Sequence, residues 1–142
     1  MVRTALAAGI EVIGIHRGWQ GLIENDMAAL DARSVAGIVN LGGTILRSSR
    51  CPEFRQPDVR QQAALHLAER EIDGLVVIGG NGSLHGAWEL SRQASLPVIG
   101  IPKTIDNDVG GTDYCLGFDT AVNTAVAAID KIRDTATSHE RL

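Results

Sequence analysis

The stretch that most constrains the fold is Leu75-Val76-Val77-Ile78, an unbroken aliphatic run that leads straight into Gly79-Gly80-Asn81-Gly82-Ser83. A strand without polar alternation reads as one buried on both faces, as strands of a parallel sheet are. A helix carrying Leu84, Ala87 and Trp88 follows, with Trp88 on its packing face. Then comes a second such strand, Pro97-Val98-Ile99-Gly100-Ile101, closed by Pro102. A polar loop runs to about Gly117. Beyond it Val122, Ala125, Val126, Ile129 and Ile132 keep the 3.6-residue period of a helix, with Asp119 or Thr120 placed to cap it. Strand, loop and helix, twice over, predict an α/β fold with a mostly parallel sheet.

The upstream half is less regular. Residues 2–8 read as a helix that turns at Gly9 into a short buried strand over 11–15. A Gly-punctuated loop at 18–21 and a weakly amphipathic stretch at 34–39 come next. The Gly42-Gly43 turn then opens an Arg-rich segment reaching Arg55. Pro57 can start a helix whose Val59, Ala63 and Leu67 share a face, ended by Asp73-Gly74. A helix tail with no strand before it suggests a domain whose beginning lies elsewhere. No repeat or linker divides the chain, so residues 1–142 read as one domain or part of one.

Composition removes several classes of function. A net charge of -4 argues against a dedicated nucleic-acid binder, which needs a dense basic face. No apolar run approaches the roughly 20 residues that span a bilayer, and the N-terminus has no signal-peptide core. Cys51 and Cys115 lie far apart without CxxC spacing, which points to a reduced, cytoplasmic protein rather than a disulfide framework or zinc site. His16, His66 and His85 have no partner at ligand spacing. Lysine occurs only at Lys103 and Lys131 and the other basic residues are arginines, which suit planar phosphate and carboxylate partners. Genome composition accounts for that bias equally well.

Two loops leave the C-terminal ends of the two aliphatic strands, where open α/β sheets place their ligands. In the first, 79–83, glycines let backbone N–H groups approach an anion, and the following helix adds free N–H groups and the positive end of its dipole. The same glycines also fit a plain strand-to-helix turn. A Walker loop is excluded because no Gly-Lys-Ser/Thr follows, and a dinucleotide fingerprint is a poor fit because no acidic residue ends the next strand. The second loop, Pro102-Lys103-Thr104-Ile105-Asp106-Asn107-Asp108, brings two carboxylates beside a lysine and a threonine. One carboxylate can take a proton from an attacking hydroxyl while the other holds a metal or a sugar hydroxyl, and the lysine can neutralise a moving phosphoryl group. An isolated Asp-x-Asp is commonly a solvated turn; its place directly after a buried strand favours chemistry.

Together these two loops resemble the signature loops of the phosphofructokinase family. Gly42-Gly43-Thr44, Arg50-Cys51-Pro52-Glu53-Phe54-Arg55, Gly111-Thr112-Asp113-Tyr114 and Ser138-His139-Glu140-Arg141 match as well, in the family's order, so the likeness covers essentially the whole chain. The resemblance implies a three-layer α/β sandwich and phosphoryl transfer from ATP, or pyrophosphate in some branches, to the 1-hydroxyl of fructose 6-phosphate. It implies Asp106 as general base, with Thr104 and Lys103 assisting. Thr104, Ile105, Asp106, Asp108 and Arg141 would bind the sugar phosphate, Arg141 from a neighbouring subunit of a dimer or tetramer. Arg50, Cys51, Gly80, Asn81, Gly82 and Ser83 would hold the nucleotide, and Trp19 would meet its adenine. Mg2+ would lie near Asn81 and Asp108.

Departures from the family pattern sharpen these expectations. Asn81 stands where the family usually has an aspartate that binds magnesium through water, so metal affinity should fall. Gly82 fits ATP users, whereas pyrophosphate users tend to carry an aspartate there; Lys103 is found in both. Relative to the family pattern, a strand and glycine loop are expected in front of residue 1, and a second sugar-binding domain beyond Arg141. The resemblance therefore implies an incomplete fold, inactive by itself. A non-catalytic nucleotide-binding or oligomerising module is the alternative from another class.

Overall fold

The computed structural model describes residues 1–138. They fall into two compact units, Met1–Asp73 with Gln93–Ser95, and Gly74–Arg92 with the chain from Leu96 onward.

In the first unit, α1 (Val2–Ala7) leads to β1 (Ile13–Ile15), α2 (Trp19–Ile23) and β2 (Met27–Ala29). A 3-10 turn (Pro52–Arg55) and α3 (Pro57–Glu69) follow. β1 and β2 pair antiparallel, Ile13 with Ala29 and Ile15 with Met27. The strand expected over 11–15 thus exists, but its partner is the unforeseen β2 rather than a parallel neighbour. The segment between them, read as a loop, is a short helix: Gly18 enters at φ 61°, and Leu22 N–H donates to the Gly18 carbonyl at 3.1 Å. Gly21 is required for packing, because a Cβ there would collide with the His16 carbonyl. The weakly amphipathic stretch 34–39 lies mostly in turns, with Gly37 at φ 70°.

The core of this unit is Leu22, Phe54, Ala63 and Leu67, all nearly or fully buried. Burying a leucine or phenylalanine side chain contributes about 1.5–3 kcal/mol each. Pro57 at the start of α3 matches the expectation, since its missing N–H would have had no partner in the first turn. Arg60 is buried on the same helix and solvates itself through backbone and amide oxygens. It donates to the carbonyls of Phe54 (3.1 Å) and Arg55 (2.7 Å) and to Gln93 Oε1 (2.6 Å).

The second unit contains β3 (Leu75–Gly79), α4 (Asn81–Ala94) as far as Arg92, β4 (Val98–Pro102) and α5 (Phe118–Ser138). β3 and β4 run parallel, from Leu75 against Val98 to Gly79 against Pro102. The α/β class with parallel strands joined through a helix is therefore observed. Burial on both faces of β3 is not: Val76 and Ile78 remain 44% and 52% exposed, and among the described residues β4 alone pairs with the strand. α5 keeps the expected period but has no buried residue, and it starts at Phe118, which puts Asp119 in its first turn instead of at its cap. Trp88 is also more open than its place on the helix predicted; it is half-exposed, with the Arg92 guanidinium 4.9 Å from its ring centroid. What packs this unit is Leu75, Ala87, Leu90 and Cys115.

Candidate active site

The register of the parallel pair builds the site. Gly79 and Pro102 are the last partners of β3 and β4, so both loops emerge side by side. Lys103 N–H donates to the Gly79 carbonyl at 2.9 Å, which extends the pairing one residue into the second loop. Lys103 also bridges in parallel to Leu116, and Thr104 N–H donates to the Leu116 carbonyl at 3.1 Å. Both ends of the 103–116 loop are thereby tied to one point. The loops meet at Gly80, where an added Cβ would lie 3.5 Å from Thr104 Cβ.

α4 begins inside the first loop. Asn81, Gly82 and Ser83 form its first turn, and Leu84 N–H is bonded to the Gly80 carbonyl at 3.0 Å. A 14-residue helix thus starts at the place where the second loop arrives, and the first amides of a helix have no partner within it. Gly79 permits the close turn, since a Cβ there would meet Ser83 Cβ at 2.6 Å. Gly82 is different. It has no left-handed backbone and a Cβ would meet nothing within 4 Å, so the fold itself does not require glycine there.

The second loop is shaped by short hydrogen bonds. Asp106 N–H donates to Thr104 Oγ1 at 3.2 Å, a turn of the kind threonine favours. Asn107, which the sequence reading passed over, adopts φ 51° and holds the segment that returns to α5. Its Oδ1 accepts from Cys115 N–H at 2.8 Å and its Nδ2 reaches the Asp113 carbonyl at 3.5 Å. With Asn107 turned inward, the carboxylates on either side, Asp106 and Asp108, are exposed, as is Lys103. Asn tolerates the left-handed region better than most residues, and that preference is the one sequence clue to its role. Asn81 Nδ2 donates to Asp108 Oδ2 at 2.9 Å and to the Asp108 carbonyl at 3.2 Å, which joins the two loops directly.

The structure therefore brings together Gly80, Asn81, Gly82, Ser83, Lys103, Thr104, Ile105, Asp106 and Asp108 in the second unit. The other predicted nucleotide contacts belong to the first. There the Trp19 ring stacks on Phe54, centroids 4.2 Å apart and nearly parallel, and its buried Nε1 has no hydrogen-bond partner among the described residues. Arg50 is exposed in a segment without regular secondary structure, and Cys51 precedes the 3-10 turn. Burial pushes the Cys51 thiol above its ordinary pKa, so it stays protonated at neutral pH. Arg141 and His139 lie outside the described residues.

One polar cluster in the first unit escaped the sequence reading. His16 Nδ1 donates to Asp26 Oδ1 at 3.0 Å, and Arg17 bridges Asp26 (2.9 Å) and Glu24 (2.5 Å). The bonds from His16, then Arg17, hold the Asp26 carboxyl below its usual range; bonds from Gln20, then Arg17, do the same for Glu24. His66 Nδ1 donates to the Leu22 carbonyl at 3.0 Å, a structural role. Among the described residues no cluster of three or more His, Cys, Asp or Glu side chains could enclose a metal, and no helix is long and apolar enough to cross a membrane.

Comparison with known proteins decides the family. The sequence profile described as "Phosphofructokinase" matches residues 1–142. The chain belongs to the phosphofructokinase family. It is 54% identical over 142 residues to the ATP-dependent 6-phosphofructokinase of Aquifex aeolicus, covering all of this chain and 44% of that protein. With the protein of the same name from Halothermothrix orenii it shares 55% over 141 residues, 99% of this chain and 42% of the relative. The chain thus spans less than half the length of these phosphofructokinases. Among solved structures it resembles the phosphofructokinase of Saccharomyces cerevisiae with a TM-score of 0.90 and 31% identity, over 97% of this chain and 22% of the yeast chain. The phosphofructokinase fold, with its α/β class and parallel strands, is accordingly that of this chain.

Proposed function

We propose that residues 1–142 form part of the nucleotide-binding and catalytic α/β domain of an ATP-dependent 6-phosphofructokinase. The reaction moves the γ-phosphoryl group of ATP to the 1-hydroxyl of D-fructose 6-phosphate, releasing ADP and fructose 1,6-bisphosphate, a step of glycolysis. The observation that carries this reading is the pairing of Gly79 with Pro102, which sets a helix N-terminus and a carboxylate loop side by side. An anion-binding helix end next to exposed carboxylates suits a phosphate donor meeting a hydroxyl acceptor.

In this reading Asp106 accepts the proton of the 1-hydroxyl as its oxygen attacks the γ-phosphorus. Thr104 Oγ1 already accepts from the Asp106 N–H, so its own proton is left to donate to the sugar. Lys103 offsets charge on the moving phosphoryl group. Ile105, Asp108 and Arg141 complete the sugar-phosphate contacts, Arg141 in a neighbouring subunit of a homo-oligomer. Arg50, Cys51, Trp19 and residues 80–83 bind the nucleotide, Asn81 through its backbone amide. The open space beside Gly82 favours ATP over pyrophosphate, since an aspartate there would fill it. Asp108 offers the hard oxygen that Mg2+ takes. That ion is commonly held by one or two carboxylates together with nucleotide phosphates, so the absence of a larger ligand cluster among the described residues fits it. Bound there, it would neutralise phosphate charge. Two free cysteines suit a reducing, cytoplasmic setting.

The test is formation of fructose 1,6-bisphosphate by the full polypeptide that carries this sequence, with ATP and separately with pyrophosphate. Turnover with ATP is expected; turnover with pyrophosphate alone would overturn the donor assignment. Gly82→Asp should weaken ATP binding by about 10-fold or more through exclusion and charge.

A further inference from the structure

The hydrogen bonds of Asn81 distinguish two roles that the residue type alone leaves open. Asn81 opens α4, and Asp108 lies 27 residues later in the loop after β4. The Asn81 side chain faces Asp108 twice, at 2.9 Å from the carboxylate Oδ2 and 3.2 Å from the backbone carbonyl. Both partners are acceptors. The amide must therefore present its NH2 group, because the reversed amide would set Oδ1 against two oxygens with no proton between them. The two arms of a planar amide diverge, so Oδ1 points away from the carboxylate that Nδ2 holds.

Resting on the phosphoryl-transfer reading, we propose that Asn81 is a positioning residue and not a metal ligand: its amide clamps Asp108 and holds the two loops in register without a cation. The physical reason is local charge. An aspartate at position 81 would set a second carboxylate at hydrogen-bond distance from Asp108, and two like charges so close repel unless a cation lies between them. The amide removes one charge and supplies protons, so the loops close on a direct bond. A neutral–charged bond of this kind contributes about twice as much as a neutral pair. Mg2+ arriving with nucleotide would meet Asp108 through the lone pairs that the amide leaves free.

The proposal is tested by melting the intact protein with and without MgCl2, in the absence of nucleotide and sugar. The native protein should melt at the same temperature in both. Asn81→Asp should melt several degrees lower without MgCl2 and recover most of the loss with it, because binding to the folded state alone raises its stability. Asn81→Ala and Asp108→Ala should be non-additive, the double variant losing little more than the larger single one. In the turnover assay Asn81→Ala should lower kcat roughly tenfold and move the KM for ATP less than about twofold, as expected for a misplaced carboxylate rather than a lost ligand. A native melting temperature that rises with MgCl2 alone, to the same degree as that of Asn81→Asp, would overturn the clamp; so would additive single variants. The native measurement decides even if a variant fails to fold. None of the melts involves substrate. A native protein without turnover would thus sink the reaction and leave the clamp standing, while additive melts with normal turnover would sink the clamp alone.

Discussion

The two units solve the same problem, holding irregular backbone in place, by different means. In Met1–Asp73 the segments between elements are fixed by what they bury. Leu22 and Phe54 are inside, Arg60 spends its guanidinium on the carbonyls of the 3-10 turn, and His66 reaches back to Leu22. In the unit that follows, little is buried around the loops. There the chain is held by the parallel register of β3 and β4, by Asn107 in a left-handed conformation, and by the Asn81–Asp108 bond. Packing tolerates small shifts in position, whereas hydrogen bonds between loop and strand fix individual atoms. Exposed side chains that must stand in one place are better served by the second method.

The contrast can be broken at several points. Leu22→Ala should cost about 2–5 kcal/mol in chemical denaturation, since it empties a fully buried site. A cost below about 1 kcal/mol would mean that packing does not hold the first unit. Asn107→Ala should cost about 1–2 kcal/mol, from two lost side-chain bonds and a disfavoured φ. Asn107→Gly should recover the conformational part alone, and equal losses in both variants would remove the left-handed backbone from the explanation. Ile129→Ala on α5 should change the stability of this chain by less than about 0.5 kcal/mol, because the side chain is 61% exposed.

The polar cluster adds a smaller effect with a defined sign. The Asp26 carboxyl has a pKa below the ordinary 3.8 in the folded state. Its contribution is therefore complete above about pH 3.8, and is lost as pH falls through the lower folded value. Melting curves at descending pH should show Asp26→Asn converging on the native protein only in that acid range. A difference between the two that vanishes already between pH 5 and 7 would point to another group.

The second unit was the more legible of the two in sequence, and the reason is physical. The run 75–78 and the run 98–101 are aliphatic without alternation, and each ends in glycine or proline, so strand, turn and helix start announce themselves locally. β2, Met27-Ala28-Ala29, has neither β-branched residues nor alternation, and it exists only because α2 returns the chain beside β1. The helix at Trp19–Ile23 was hidden by its two glycines, Gly18 entering with a left-handed backbone and Gly21 allowing the close approach to the His16 carbonyl. The exposure of β3 and α5 likewise escaped, since an apolar pattern states which face wants cover and not what provides it. In the site, the two loops could be read from their places after strands, while Asp106 was singled out by the family resemblance. The bond between Asn81 and Asp108 could not, for no periodicity relates residues 27 apart on different loops.

The central claim, that the paired loops carry phosphoryl transfer with Asp106 as base, is tested most directly by Asp106→Asn in the full polypeptide. Formation of fructose 1,6-bisphosphate from ATP and fructose 6-phosphate should fall by about 10²–10⁴-fold in kcat, while ATP affinity stays within about twofold. Turnover close to native would contradict the assignment.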